Sequence, residues 1–285
     1  MTRTPNRTPH HRLPRASERT SGLPDLRCWT QQIRERHHLT RPPAARRLQI
    51  SKSLLKQIET RPEPPTPEAV ALLITGYELD TDQTRFTREL ARRPVVLPSL
   101  TQLRTRIATP ARQARLDGLD SDGVLAAYTD PLWHLIAANQ RFREAFPGLE
   151  DFDDNLALWF FQPGRTAPSS RQVVVDRDGF AAYLVATLRP AFGVHRESPR
   201  AREFFDLLDA GPEFRTRWDT DSITVAYGRR PDDLLRLRDL DSGERYDLTL
   251  DLGPLRADPT VRFSVGYRRH HPDRHGPGVG TPPPL

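Results

Sequence analysis

Between residues 23 and 90, apolar side chains recur every three or four positions, the spacing of helices with one buried face. LPDLRCWTQQIRERHHL places Leu26, Trp29 and Ile33 on one such face. Thr40 stands at a cap position, and Pro42 and Pro43 fit the first turn of the helix behind it, where no intrahelical N–H partner is needed. Ala44, Ala45 and Leu48 give that helix a small apolar face. Ser51 then caps KSLLKQIE, in which Leu55 and Ile58 turn inward with Ile50, leaving Lys52, Ser53, Lys56 and Gln57 outside. Thr66 or Pro67 opens EAVALLITGYEL, and DTDQTRFTREL makes a fifth helix.

Residues 91–120 read as a polar, basic, helix-prone linker. From 121 the pattern changes. VLAAYTDPLWHLIAANQRF predicts a strand, a tight turn at Asp130-Pro131, a second strand and a helix from near Ala138. NLALWFFQPG is a short aromatic helix, and DGFAAYLVATLRPAF, PRAREFFDLLDAG and PEFRTRW are three more. After Asp221 the period becomes two. ITVAYG, LLRLRDL, RYDLTLDLG and VRFSVGYRR alternate around turn residues such as Asp241-Ser242-Gly243, as an antiparallel meander does. The fold class is α+β, with an all-α domain of about five helices over 23–90 and a domain with an antiparallel sheet over 121–269. Residues 1–22 read as a disordered basic arm and 270–285 as a disordered Pro/Gly tail.

Charge sharpens this division. Of 43 Lys+Arg in the 285 residues, only Lys52 and Lys56 are lysines, and their spacing of four puts both on one helical face. Residues 1–120 hold 22 basic and 12 acidic side chains; residues 121–285 hold 21 and 25. A basic half beside a mildly acidic half suits a polyanion partner at one end and another task at the other. The lone Cys28 excludes an internal disulfide and a cysteine metal cluster. A lone cysteine also fits a reducing cytosol, the expected compartment. No apolar run approaches 18 residues, so no membrane span is expected. The sequence has no Gly-rich phosphate loop, HExxH, GxSxG or CxxC, so an enzyme is not expected. Asp151, Asp153 and Asp154 read as a solvated loop cluster without partners, and His270, His271 and His275 as tail residues rather than a metal site.

LTRPPAARRLQISKSLLKQIET resembles the XRE/repressor-type helix-turn-helix family, whose second helix enters the DNA major groove. The resemblance implies that Lys52, Ser53 and Gln57 face base edges. It places Lys56 on bases or phosphate, Ser51 at the head of the recognition helix, and Arg41 on a phosphate. Lys suits guanine O6/N7 and Gln suits adenine N6/N7. Two positions depart from the family: Gln49 stands where the turn usually has glycine, and Arg61 where glycine usually follows the recognition helix.

LAAYTDPLWHLIAANQRFREAFPGL followed by NLALWFFQPG is similar to the ligand-binding domain of MmyB-like transcription regulators, through Asp130, Trp133, Asn139 and Asn155. The likeness continues to Phe214 and Trp218. It implies a PAS-like fold that holds a small apolar, fatty-acid-like molecule, with Trp133, Asn139, Phe142, Phe146 and Trp159 as the expected ligand contacts. From the residues alone, the aromatics read as core or as pocket wall, and each Asn as a ligand contact or a helix cap. The implied protein is a cytoplasmic, nucleoid-associated regulator that binds double-stranded DNA as a homodimer. The alternative is a DNA-binding or interaction protein whose second domain only dimerises.

Overall fold

The computed structural model describes residues 22–162, 169–228, 234–255 and 258–269. The predicted arm, apart from Gly22, and the predicted tail with its three histidines lie outside the described residues. Five helices form the first domain: α1 (Leu26–Arg36), α2 (Arg41–Arg47), α3 (Lys52–Thr60), α4 (Pro67–Gly76) and α5 (Thr81–Leu90). Short polar side chains start most of them. The Asp25 carboxylate accepts from the Cys28 N–H, Ser51 Oγ from the Leu54 N–H at 3.0 Å, and Asp80 and Gln83 cap one another reciprocally. Thr40 occupies its cap position without a side-chain bond. Trp29 meets Phe86 edge-on at 4.9 Å, and Leu48, Leu55, Ile58 and Leu73 complete a buried centre.

Three of these helices end on a left-handed residue that is not glycine: His38, Gln49 and Glu78, with φ of 55°, 56° and 55°. Each closes its helix with the same pair of bonds; at α2 they run from the Gln49 N–H to Arg46 O and from the Ile50 N–H to Ala45 O. A side chain in this conformation costs on the order of 1 kcal/mol. Arg61, by contrast, is extended at φ −101°, so this chain has no need of glycine after α3.

The second domain is built on a five-stranded antiparallel sheet of β1 (Leu125–Thr129), β2 (Leu135–Ala138), β3 (Leu235–Arg238), β4 (Arg245–Leu255) and β5 (Asp258–Arg269), in the order β2-β1-β5-β4-β3. Side chains alternate across β1. Leu125 and Ala127 join the main core, while Ala126 and Tyr128 face the other way and are equally buried. That second face explains a departure from expectation. The stretch read as linker forms α6 (Leu100–Ile107) and α7 (Pro110–Ser121), whose Leu103, Ile107 and Leu116 cover Ala126, Tyr128 and Val261. The main core lies on the opposite face, under α8 (Gln140–Ala145), α9 (Leu156–Phe161), α10 (Ser170–Val173), α11 (Arg177–Val194), α12 (Pro199–Asp209) and α13 (Pro212–Thr220).

A second departure concerns ITVAYG, residues 223–228, expected as a strand. Among the described residues it pairs with no strand, and it instead straps the two domains together. The cause lies in α11. Pro190 has no N–H to donate to the carbonyl four residues back, Ala186. The Ala186 carbonyl accepts from the Ala226 N–H instead, at 2.9 Å. Buried Arg189 donates to Thr224 O and Trp218 O and holds the start of the strap. Val225 then enters the core of the helical domain, and Gln83 Nε2 donates to Ile223 O. Gly193 permits the close approach of α11 to α5, since a Cβ there would come within 2.6 Å of Phe86. Arg196 donates to Leu90 O and Arg92 O and completes this joint.

Candidate nucleic-acid interface and sensor core

The outer face of α3 carries Lys52, Ser53, Lys56 and Gln57, all exposed, while Leu55 and Ile58 are buried beneath. Among the described residues neither lysine takes part in an ion pair. Arg46 and Gln49, at the end of α2 and in the turn, are exposed nearby in sequence. Nothing in apolar periodicity singled out Arg46; its place one turn before α3 appears only once the turn is built.

Arg41 sits differently from a free phosphate ligand. Its Nε donates to Glu59 Oε2 at 2.6 Å. Glu59, in the last turn of α3, has a fully buried side chain and also accepts from Arg34 Nε at 2.6 Å. Arg34 in turn donates to Leu39 O at the end of α1. One buried carboxylate thus ties α1, the start of α2 and the end of α3 together. It fixes the angle at which the α3 face is presented.

In the second domain the residues expected to contact a ligand are occupied by the fold itself. Asn139 caps α8: its Oδ1 accepts from the Phe142 and Ala126 N–H groups, and its Nδ2 donates to Val124 O. Asn155 does the same for α9, accepting from Ala157 and Leu158 and donating to Leu132 O. Asn155 thereby touches the β1–β2 turn, in which Asp130 Oδ1 accepts from the Leu132 and His134 N–H groups and Arg200 from α12 pairs with the same carboxylate. The turn drives Trp133 into the left-handed region at φ 67° and points its indole inward, where Nε1 donates to Thr187 Oγ1. Phe142, Phe146 and Trp159 are at most 1% exposed; Phe146 meets Trp159 edge-on, and the Trp159 indole donates to Pro147 O. Phe214 and Trp218 join Phe192 and Phe205 in a further ring cluster. Asp154, expected to be solvated, is paired with Arg143 at 3.1 Å.

Three cavities lie elsewhere in the described residues. A cleft of about 670 Å³ opens between the α3–α4 connection and α12, a groove of about 430 Å³ lies between α7 and β2, and a pocket of about 170 Å³ separates α5, α11 and the β4–β5 hairpin. None of the five expected ligand contacts lines any of the three.

The helix-turn-helix domain family matches residues 31–86, from within α1 to within α5. The MmyB-like transcription regulator ligand binding domain family matches residues 108–260, more than half of the chain. The chain belongs to this MmyB-like family. The order of the two matches is that of a DNA-binding transcription regulator with a ligand-binding domain behind its reading head. The match includes α7, in keeping with the packing of that helix on the sheet of the MmyB-like domain. No curated protein matches the chain. Among the described residues no helix is long and apolar enough to cross a membrane.

Proposed function

We propose that this MmyB-like regulator reads a specific double-stranded DNA site through the exposed face of α3, as a homodimer, and that a small molecule in the second domain alters that reading. The single observation that carries the first part is the α3 face itself: two unpaired lysines and a glutamine are aimed outward from a helix locked by Glu59. A helix of this size fits the major groove, where Lys and Gln have matching base edges. One module holds DNA weakly, so two recognition helices about 34 Å apart are needed for a palindromic site. The joint supports the second part. Gly193, the strap and Arg196 make α5 and α11 one packed unit, so a change of packing at α11 reaches the helical domain without crossing a flexible linker.

Genome-wide binding of the tagged protein defines the site, and the purified protein is then titrated on it across a salt series. Each neutralised phosphate releases counterions, so affinity falls steeply with salt. Lys52→Ala costs about 1–3 kcal/mol and relaxes preference at one base pair. An unchanged affinity and salt slope in the Lys52→Ala/Lys56→Ala double variant would refute this reading face. Sedimentation of one protomer per site would refute the dimer.

A further inference from the structure

The smallest of the three cavities has chemistry that the regulator reading leaves unused. It lies at the joint, between α5, α11 and the β4–β5 hairpin, and measures about 170 Å³. Arg262 reaches it from β5. Its Nη1 is buried and has no hydrogen-bond partner among the described residues. A buried, unmatched guanidinium nitrogen is costly and rare, because the group gives up water without a replacement. Burial holds the Arg262 guanidinium down, to about 10, and the positive charge of Arg85 acts in the same direction.

The rest of the wall sets the charge of what would fit. Arg85 on α5 stacks over the Tyr227 ring at 3.7 Å and donates to Glu89 Oε1 at 3.0 Å. The Tyr227 hydroxyl donates to the other Glu89 oxygen, so that carboxylate already has two donors. Burial keeps His195 below its usual range, so it is neutral at pH 7. Two guanidinium charges therefore face one carboxylate, a local excess of one positive charge. One monoanion balances it, while a dianion would be repelled by Glu89. The planar fork of a guanidinium matches a carboxylate. Val194 and Leu252 supply an apolar side to the same cavity, and the volume holds only a few heavy atoms beyond the head group.

We infer that this cavity binds a short-chain monocarboxylate, its carboxylate held by Arg262 and Arg85 and its alkyl end against Val194 and Leu252. The bound molecule would touch the DNA-binding domain through Arg85 and the sheet of the MmyB-like domain through Arg262, bridging the two across their joint. Nothing in this binding requires DNA. A chain that takes up the carboxylate yet ignores DNA overturns the regulator reading alone.

The test is titration calorimetry and thermal melting of the full chain with acetate, butyrate and hexanoate at constant ionic strength, with inorganic phosphate and dodecanoate as comparison arms. The expected result is a melting temperature raised by about 5 °C by butyrate or hexanoate at a hundredfold excess over Kd. Arg262→Gln and Arg85→Gln should each weaken that binding at least tenfold. The Arg85 side chain is half exposed, so its variant tests the site even where Arg262→Gln fails to fold. Three outcomes overturn the inference. One is no heat and no melting shift with any short carboxylate. Another is a shift given by phosphate alone. The third is a shift that grows on lengthening to dodecanoate and persists in Arg85→Gln, which places the acyl molecule elsewhere.

Discussion

Replacing Glu59 by alanine should do more damage than any surface change on the reading helix. The Glu59 side chain is fully buried and that of Arg34 is only 10% exposed. Removing the carboxylate leaves the buried Arg34 guanidinium with Leu39 O and a longer contact, 3.6 Å, to the half-exposed Glu35. Breaking a buried pair from one side costs roughly 3–5 kcal/mol, since the charge keeps its desolvation penalty and loses its close counterion, and the longer Glu35 contact puts the expected cost at the low end of that range. Arg41 adds little; its side chain is 36% exposed and returns to water, and pairs of that kind contribute at most about 1 kcal/mol. A domain is stable by only about 5–15 kcal/mol, so α3 should open far more often while the MmyB-like domain stays folded. Amide hydrogen exchange read by mass spectrometry resolves the two, because protection in α3 falls and protection in β1 and β5 does not. The control is the Arg34→Met/Glu59→Leu double variant, in which no buried charge is stranded. Its cost should be well below the single variant's, with a coupling of about 1–3 kcal/mol between the sites. If Glu59→Ala leaves α3 protection unchanged, or if the double variant opens as readily as the single, the carboxylate does not hold the reading helix as argued.

Gln49→Gly should raise stability by about 1 kcal/mol, because glycine accepts φ of 56° without the Cβ clash that Gln49 carries; a melting temperature that falls or stays put would show that the turn is not strained. His134 should make the protein acid-sensitive. Burial pushes the imidazole down from an ordinary 6.5 to about 4; the negative charge of Asp153 opposes this and the positive charge of Arg104 adds to it. The unfolded chain therefore binds the proton first. Stability from the neutral ring is complete above about pH 6.5 and is lost as pH falls toward 4, by about 3 kcal/mol in total. Urea titrations at pH 7 and 4 should show His134→Gln lacking that part of the slope, and parallel profiles for the two proteins would count against it.

Much of this protein is local, and local features are legible in a sequence. The five helices of the first domain follow from apolar spacing and from caps at Ser51, Thr66 and Asp80, because a cap and a buried stripe act within one or two turns. The β3–β4 turn follows from Asp241-Ser242-Gly243 for the same reason; Gly243 takes φ of 74° and donates to Asp239 O. The outward set on α3 needed only the helical period. What the sequence left open depends on groups far apart in the chain. An alternating stretch such as ITVAYG forms a strand only where a partner offers a free ladder, and here Pro190 had already freed the Ala186 carbonyl to take the Ala226 N–H. The polar stretch before the sheet became α6 and α7 because Ala126 and Tyr128 needed cover on their second face. The burial of Trp133, Phe146 and Trp159 likewise depends on α11 and the capping loops, which meet them from more than ten residues away in the chain. The unmatched Arg262 nitrogen has no local signature at all. Alternation marks which way β5 turns its side chains, but only the docking of α5 against α11 decides what each of them meets.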